Sequence, residues 1–328
     1  LLSIVVLLIA VAAVAFTNGA NANFKGVASL YGSGTASLRT ALVVGNGFTL
    51  AGSLASFWLA SGLLSSFGGK GILPNEMVRG PSFAAAVALA AAGTSFLATR
   101  FSFPVSTTHA LVGAIGGCGL AATILKPVGA TVRWDILANN FFVPLLVSPI
   151  VAVVLAWIFY RILSVCRVSL AHRNKSLDVL HFASAAAASF ARGLNDTPKM
   201  VAILLLVPNA NKSAAFLFVA IFMLLGGMLD AKNVAETLGR RITDLNAQEG
   251  FAASLITSVL VGTASFHSLP VSTTHVSVGA LVGIGVSNGK THWRMVGEIL
   301  LAWITTVPCG LVLGLIIFLL CSLGGIAS

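Results

Sequence analysis

The spacing of charge along this chain limits what it can fold into more than any other feature. Lys, Arg, Asp and Glu are absent from residues 1–24, 40–69, 80–99, 101–125, 136–160, 179–191, 213–229, 250–289 and 299–328. A helix needs about 20 apolar residues to cross the hydrocarbon of a bilayer. Each stretch holds such a helix or part of one. The stretch 250–289 has room for two, divided at Leu269-Pro270. Charged residues make up 9% of the 328, and hydrophobic residues 57%. A soluble domain draws on roughly a quarter charged residues to face water. The composition therefore excludes a soluble enzyme, a nucleic-acid binder and a disordered chain. It predicts an all-α polytopic membrane protein with about 10–12 transmembrane segments.

The net charge of +10 fits this reading without a nucleic-acid partner, because loop Lys and Arg set orientation in the membrane. Arg161, Arg167, Arg173 and Lys175 form the richest cluster and are placed on the cytoplasmic side. Arg240 and Arg241, with Asp244 and Glu249, mark another loop. Trp134 beside Arg133 and Trp293 beside Arg294 read as interfacial anchors. Cys118, Cys309 and Cys321 read as helix filler and Cys166 as a loop thiol, with no metal site or disulfide framework. The chain opens in an apolar run with no basic region before it. A first membrane helix is expected there ahead of a signal peptide.

The sequence also repeats itself. Residues 104–109 and 270–275 both read Pro-Val-Ser-Thr-Thr-His. Six identical residues would recur by chance at roughly the one-in-a-thousand level. A second pair runs NGANANFKG at 18–26 and RGLNDTPKM at 192–200. Aligning Asn21 with Asn195 also aligns Gly19 with Gly193 and Lys25 with Lys199. The motifs keep their order, 85 residues apart in the first half and 77 in the second. Two homologous halves are expected, 1–166 and 178–328, joined by a basic cytoplasmic linker at 167–177. About five spans per half would invert the second half relative to the first, as in many secondary transporters. In such proteins, broken helices or re-entrant hairpins meet at the midplane. Gly19 and Gly193 are expected to loosen the backbone there, and Pro104, Pro198 and Pro270 to interrupt it.

Pro followed by Ser-Thr-Thr reads as a helix start with hydroxyls at the cap and first turn. Its free N–H groups and positive dipole end suit an anion. A lone Ser-Thr-Thr more often packs or bonds its own backbone, but duplication in an inverted pair favours a binding role. His109 and His275 would donate to an anion, relay protons, or simply pack; packing ranks slightly ahead. Asp196 is the one carboxylate embedded in a motif, and an acid at membrane depth is a functional candidate. With Asn195 it would ligate sodium or accept a proton from bound phosphate; the bland alternative is a pair with Arg192. Lys25 and Lys199 would neutralise a divalent anion or snorkel to the interface. Asp230, Lys232 and Glu236 read as loop charges, with Glu236 a candidate cap.

These motifs resemble the inorganic phosphate transporter (PiT) family. Its signature Gly-Ala-Asn-Asp and Pro-Val-Ser-Thr-Thr-His each occur once per half. The segment ETLGRRIT at 236–243 is also similar to family members. The resemblance covers nearly the whole chain. It implies a bacterial-type multi-pass symporter of the inner membrane that takes up inorganic phosphate with sodium or protons, often as a homodimer. No cofactor is implied beyond that coupling ion. By motif matching, Asn21, Ser106, Thr107 and Thr108 would hold phosphate in one half. Asn195, Asp196, Ser272, Thr273 and Thr274 would do so in the other, with Lys25 and Lys199 beside them. Asn21, Asn195 and Asp196 are the candidate sodium ligands. The pattern departs in two ways: Ala22 stands where the first Asp is expected, and Lys25 and Lys199 stand where Asn is usual.

Some relatives of the family carry sulfate, which the motifs alone leave as an alternative. Near neutral pH phosphate keeps a proton to donate and sulfate has none, so a buried Asp196 favours phosphate. An anion channel and an intramembrane hydrolase rank lower. The hydrolase would need one nucleophile, yet each Ser and His has a twin, and no G-x-S-x-G elbow is present.

Overall fold

Charge-free sequence becomes helix along almost its whole length. A computed structural model describes residues 2–67, 71–74, 80–125, 132–165 and 175–323. The helices are α1 (Leu2–Ala22), α2 (Ala28–Gly32), α3 (Leu38–Leu59), α4 (Leu63–Phe67), α5 (Pro81–Arg100), α6 (Thr107–Leu125) and α7 (Trp134–Val165). Then come α8 (Lys175–Leu204), α9 (Lys212–Leu229), α10 (Lys232–Glu236), α11 (Ala247–Phe266), α12 (Thr273–Asn288) and α13 (Trp293–Leu323). Eight of these are long and apolar enough to cross a membrane: α1, α3, α5, α6, α7, α9, α11 and α13. Helix α8 carries Arg192, Asp196 and Lys199 within its length, and α12 has 16 residues. Leu146, Ile150, Val154, Leu301, Ile304 and Leu320 are exposed along α7 and α13. So much exposed apolar surface belongs against lipid. The chain is a multi-pass integral membrane protein.

Helix starts follow local chemistry. The Ser37 side chain caps α3 by accepting from Thr40 N at 3.1 Å, and Asn211 caps α9 by accepting from Ala214 N at 3.0 Å. Asn246 and Glu249 form a reciprocal capping box at α11. Pro81 occupies the first turn of α5, where a missing N–H is harmless. Arg240 and Arg241 lie in a π turn, Thr237–Arg241, rather than in an open loop. A second π turn, Ala138–Phe142, sits inside α7, where Pro144 withholds a backbone bond from Asn140.

The helices that carry the two copies of each motif pack in matching ways. Helix α1 packs on α5 and α9, while α8 packs on α11 and α3. Helix α6 packs on α13, and α12 packs on α7. Small residues bring these backbones together, as is common where helices meet in lipid. A Cβ on Gly113 or Gly117 would strike the Val307 or Leu311 carbonyl of α13. On the matching Gly279 and Gly283 it would strike the Pro149 or Val153 carbonyl of α7.

Contrary to what its Gly and Pro predict, the second copy of the motif is continuous helix. Residues 192–200 do not form a break: α8 is helical from Lys175 to Leu204, with Pro198 inside it. Pro198 removes one backbone bond, but α8 is buried between α3 and α11, and neighbours in a bundle make such a loss tolerable. Gly193 is not a hinge either; it lets the Thr49 carbonyl of α3 approach. Gly19 plays the same part against Met223 of α9. The first copy of the motif does interrupt its helix. Helix α1 ends at Ala22, and a turn over 23–27 leads to α2. Cys166, Arg167 and Arg173, with most of the 167–177 linker, lie outside the described residues.

Candidate functional site

The segments 103–106 and 269–272 are non-helical links, each opening into a buried helix. Ser272 is the N-cap of α12, its hydroxyl accepting from His275 N at 3.2 Å. Ser106 accepts from His109 N at 3.2 Å in the same way. The Pro-Val-Ser-Thr-Thr reading as a helix start therefore holds in both copies. Trp303 Nε1 donates to the Pro104 carbonyl at 3.0 Å and the Trp303 ring stacks on His275 at 3.8 Å, tying the two links together.

Both motif lysines end between these links. Lys25 Nζ donates to Asn21 Oδ1 (3.2 Å), the Val105 carbonyl (2.9 Å) and Thr274 Oγ1 (2.5 Å). Lys199 Nζ donates to Asn195 Oδ1, the Val271 carbonyl (2.9 Å) and Thr108 Oγ1 (2.9 Å). The two sets are equivalent residue for residue. Each lysine takes its amide and carbonyl partners from its own half and its threonine from the other. Lys199 adds an ion pair with Asp196 Oδ1 at 3.0 Å. The equivalent carboxylate is missing from the first half, where Ala22 is buried.

Asp196 is crowded with donors. Its Oδ2 accepts from Thr273 (3.2 Å) and Asn18 Nδ2 (3.4 Å), and Arg192 lies 3.5 Å away. Together with Lys199 these four partners match the roughly four lone-pair sites of a carboxylate. Arg192 also donates to the side-chain oxygens of Asn18 and Asn23. Asn18 Nδ2 donates in turn to Thr107 Oγ1 at 2.8 Å. Asn21 Nδ2 reaches Thr99 Oγ1 (3.1 Å) and the Phe103 carbonyl (2.9 Å), and Asn195 Nδ2 reaches Ser265 Oγ (2.9 Å).

All eleven residues singled out by the sequence as anion ligands are buried; nine of them take part in these bonds, while the Ser106 and Ser272 hydroxyls accept from the His109 and His275 N–H groups at the two helix starts. The sequence reading missed Arg192, Asn18 and Asn23 as members. The repeat alignment carried the signal, since it superposes Asn18 on Arg192, two long polar side chains inside apolar helices. The bland alternative of an Asp196–Arg192 pair is real, but it lies mid-helix and forms part of the network. Among the described residues of this region, three buried cations, Lys25, Lys199 and Arg192, stand against one buried carboxylate, Asp196, which pairs with Lys199 and Arg192; that is a formal surplus of two positive charges, each group at most 5% exposed. His109 and His275 lie ring to ring at 4.6 Å, and His275 Nδ1 contacts the Leu145 carbonyl at 3.0 Å. His109 Nδ1 and His275 Nε2 have no hydrogen-bond partner among the described residues.

A cavity of about 360 Å³ lies beside the second link. Asn139, Asn140 and Phe141 of the α7 π turn line it, with Leu269 and Pro270 of the second link. Phe67 meets Phe141 edge to face at 5.1 Å, and Lys199 Nζ sits 5.7 Å from the Phe67 ring. The aromatic pair thus links a cavity-lining residue, Phe141, to the surroundings of Lys199.

Residues 18–314 match the phosphate transporter family. A relative from Bacillus subtilis (strain 168), "Probable low-affinity inorganic phosphate transporter", is 26% identical over 97% of each chain. A relative of the same description from Rhizobium meliloti (strain 1021) is 29% identical over 73% of this chain and 74% of its own. The fold is similar to that of a solved structure titled "The sodium-dependent phosphate transporter", with a TM-score of 0.84. That likeness covers 98% of this chain and 100% of the other at 21% identity. The chain belongs to the phosphate transporter family.

Proposed function

We propose that this protein takes up inorganic phosphate by cation symport, through alternating access of a single buried site. One observation carries the reading: a formal surplus of two positive charges is sealed among helix starts in the protein interior. Buried charge without a partner is strongly disfavoured. A phosphate dianion would cancel that surplus. The starts of α6 and α12 add N–H groups and positive dipole ends. The hydroxyls of Ser106, Thr107, Thr108 and Ser272 supply donors without fixed charge, while Thr273 and Thr274 spend their protons on Asp196 and the Val105 carbonyl. Asn21 and Asn195 orient the lysines, and Asp196 serves as counter-charge for Lys199 and Arg192. With the acceptor sites of Asp196 engaged by protein donors, the choice of phosphate over sulfate rests on the family.

The matching contacts of α1 and α8, and of α6 and α12, support an inverted pair of repeats over residues 1–166 and 178–328. Rocking of one bundle against the other would then expose the site to each side in turn. The bacterial relatives support an inner-membrane location, and a homodimer is part of the proposal. The test is uptake of labelled phosphate into proteoliposomes, with unlabelled sulfate as competitor. Saturable uptake that phosphate competes away and sulfate does not is the expected result. Equal competition by sulfate, or no uptake above empty liposomes, would refute the reading.

A further inference from the structure

The solved structure similar in fold is titled as sodium-dependent, yet in this chain the oxygens suited to hold such an ion are already engaged. A small hard cation favours amide, carbonyl, hydroxyl and carboxylate oxygens. Around Lys25 Nζ stand Asn21 Oδ1, the Val105 carbonyl and Thr274 Oγ1, one oxygen of each neutral kind. Around Lys199 Nζ stand Asn195 Oδ1, the Val271 carbonyl, Thr108 Oγ1 and Asp196 Oδ1. Both cages draw on three elements: the motif helix or its end, its own half's link, and the facing helix start. An ammonium has three donors. Lys25 engages all three with protein oxygens, and Lys199 has four acceptors for its three. These oxygens therefore hold a cation fixed to the chain, and they do not fit a sodium ion as well.

Two physical effects keep sodium out. A tethered ammonium competes with a free ion at a high effective concentration. Any added cation would also raise a formal surplus that already stands at two positive charges among groups at most 5% exposed. We propose that Lys25 and Lys199 are built-in counter-cations that fill both oxygen cages, so that this chain carries its anion without sodium. The proposal rests on the phosphate reading and narrows its coupling ion to a species other than sodium. Ala22 fits the same scheme. With no carboxylate in the first half, one tethered cation per half leaves room for a divalent anion.

The test has two arms. In the first, purified protein in liposomes takes up labelled phosphate at fixed pH, with sodium chloride replaced by choline chloride. Initial rates within twofold of each other are expected. A tenfold or greater stimulation by sodium would overturn the proposal. In the second, the melting midpoint of detergent-purified protein is measured in 100 mM of either salt, without phosphate. The wild type should melt at the same temperature in both. Lys25→Ala, which empties one cage, should gain several degrees in sodium alone. A sodium-specific rise in the wild type, or none in a folded Lys25→Ala protein, would overturn the proposal. Should that variant fail to fold, Lys199→Ala replaces it, and the wild-type arm decides alone if both fail. Absence of uptake in either salt would count against phosphate as substrate, while the melting arm would still report whether sodium binds.

Discussion

Asp196→Asn removes the one negative charge of the buried network while keeping its shape. In the native protein the carboxylate meets Lys199 at 3.0 Å, Thr273 at 3.2 Å, Asn18 at 3.4 Å and Arg192 at 3.5 Å. An asparagine can turn its oxygen toward Lys199, but its NH₂ group then faces Asn18 Nδ2 and the Arg192 guanidinium, donor against donor. Thr273 can rotate to accept, whereas the other two cannot. Breaking a buried ion pair by removing one partner costs about 3–5 kcal/mol. At roughly 2 °C per kcal/mol for a large chain, the melting midpoint without phosphate should fall by roughly 6–10 °C. The formal surplus rises from two positive charges to three, so phosphate should stabilise the variant more than the wild type. The assay is a thermal melt of detergent-purified protein across a phosphate titration. An unchanged anion-free midpoint would refute the network energetics. A smaller phosphate shift in the variant would show that Asp196 binds the anion directly rather than balancing the cations.

Three further outcomes are expected. Ala22→Asp mirrors Asp196 beside Lys25 and cuts the surplus to one, so the phosphate KM for uptake should rise roughly tenfold; a lower KM would contradict the charge account. Gly117→Ala places a methyl group against the Leu311 carbonyl. Prising α6 from α13 should cost about 1–3 kcal/mol and lower the melting midpoint, and an unchanged midpoint would mean the helices separate freely. Phe67→Ala should join the 360 Å³ cavity to the Lys199 region. A cysteine introduced by Val271→Cys should then react with a polar thiol reagent faster than in the Phe67 background, and equal rates would show that the aromatic pair blocks nothing.

Much of this is legible in the sequence. Charge-free runs located the membrane helices because a bilayer forbids unpaired charge more strictly than water does. The duplicated Pro-Val-Ser-Thr-Thr-His located two helix starts because proline and hydroxyl residues act locally. The Lys25 and Lys199 register was readable from the repeat alone. What was not readable depended on packing. Pro198 and Gly193 look like helix breakers, yet α8 stays helical because α3 and α11 enclose it. The exchange of Thr108 and Thr274 between lysines of opposite halves is a tertiary fact with no local signature. Arg192 reads as a helix-end charge in sequence and becomes a hub only when Asn18 and Asn23 arrive from α1 and the turn that follows it.

The central claim is that Lys25 and Lys199 create the buried positive charge that holds the anion. Calorimetric titration of phosphate into detergent-purified wild type and into a Lys25→Met, Lys199→Met double variant tests it most directly. The account predicts saturable binding of one phosphate per chain in the wild type and no heat above dilution in the folded double variant. Binding by the double variant at wild-type affinity would contradict it.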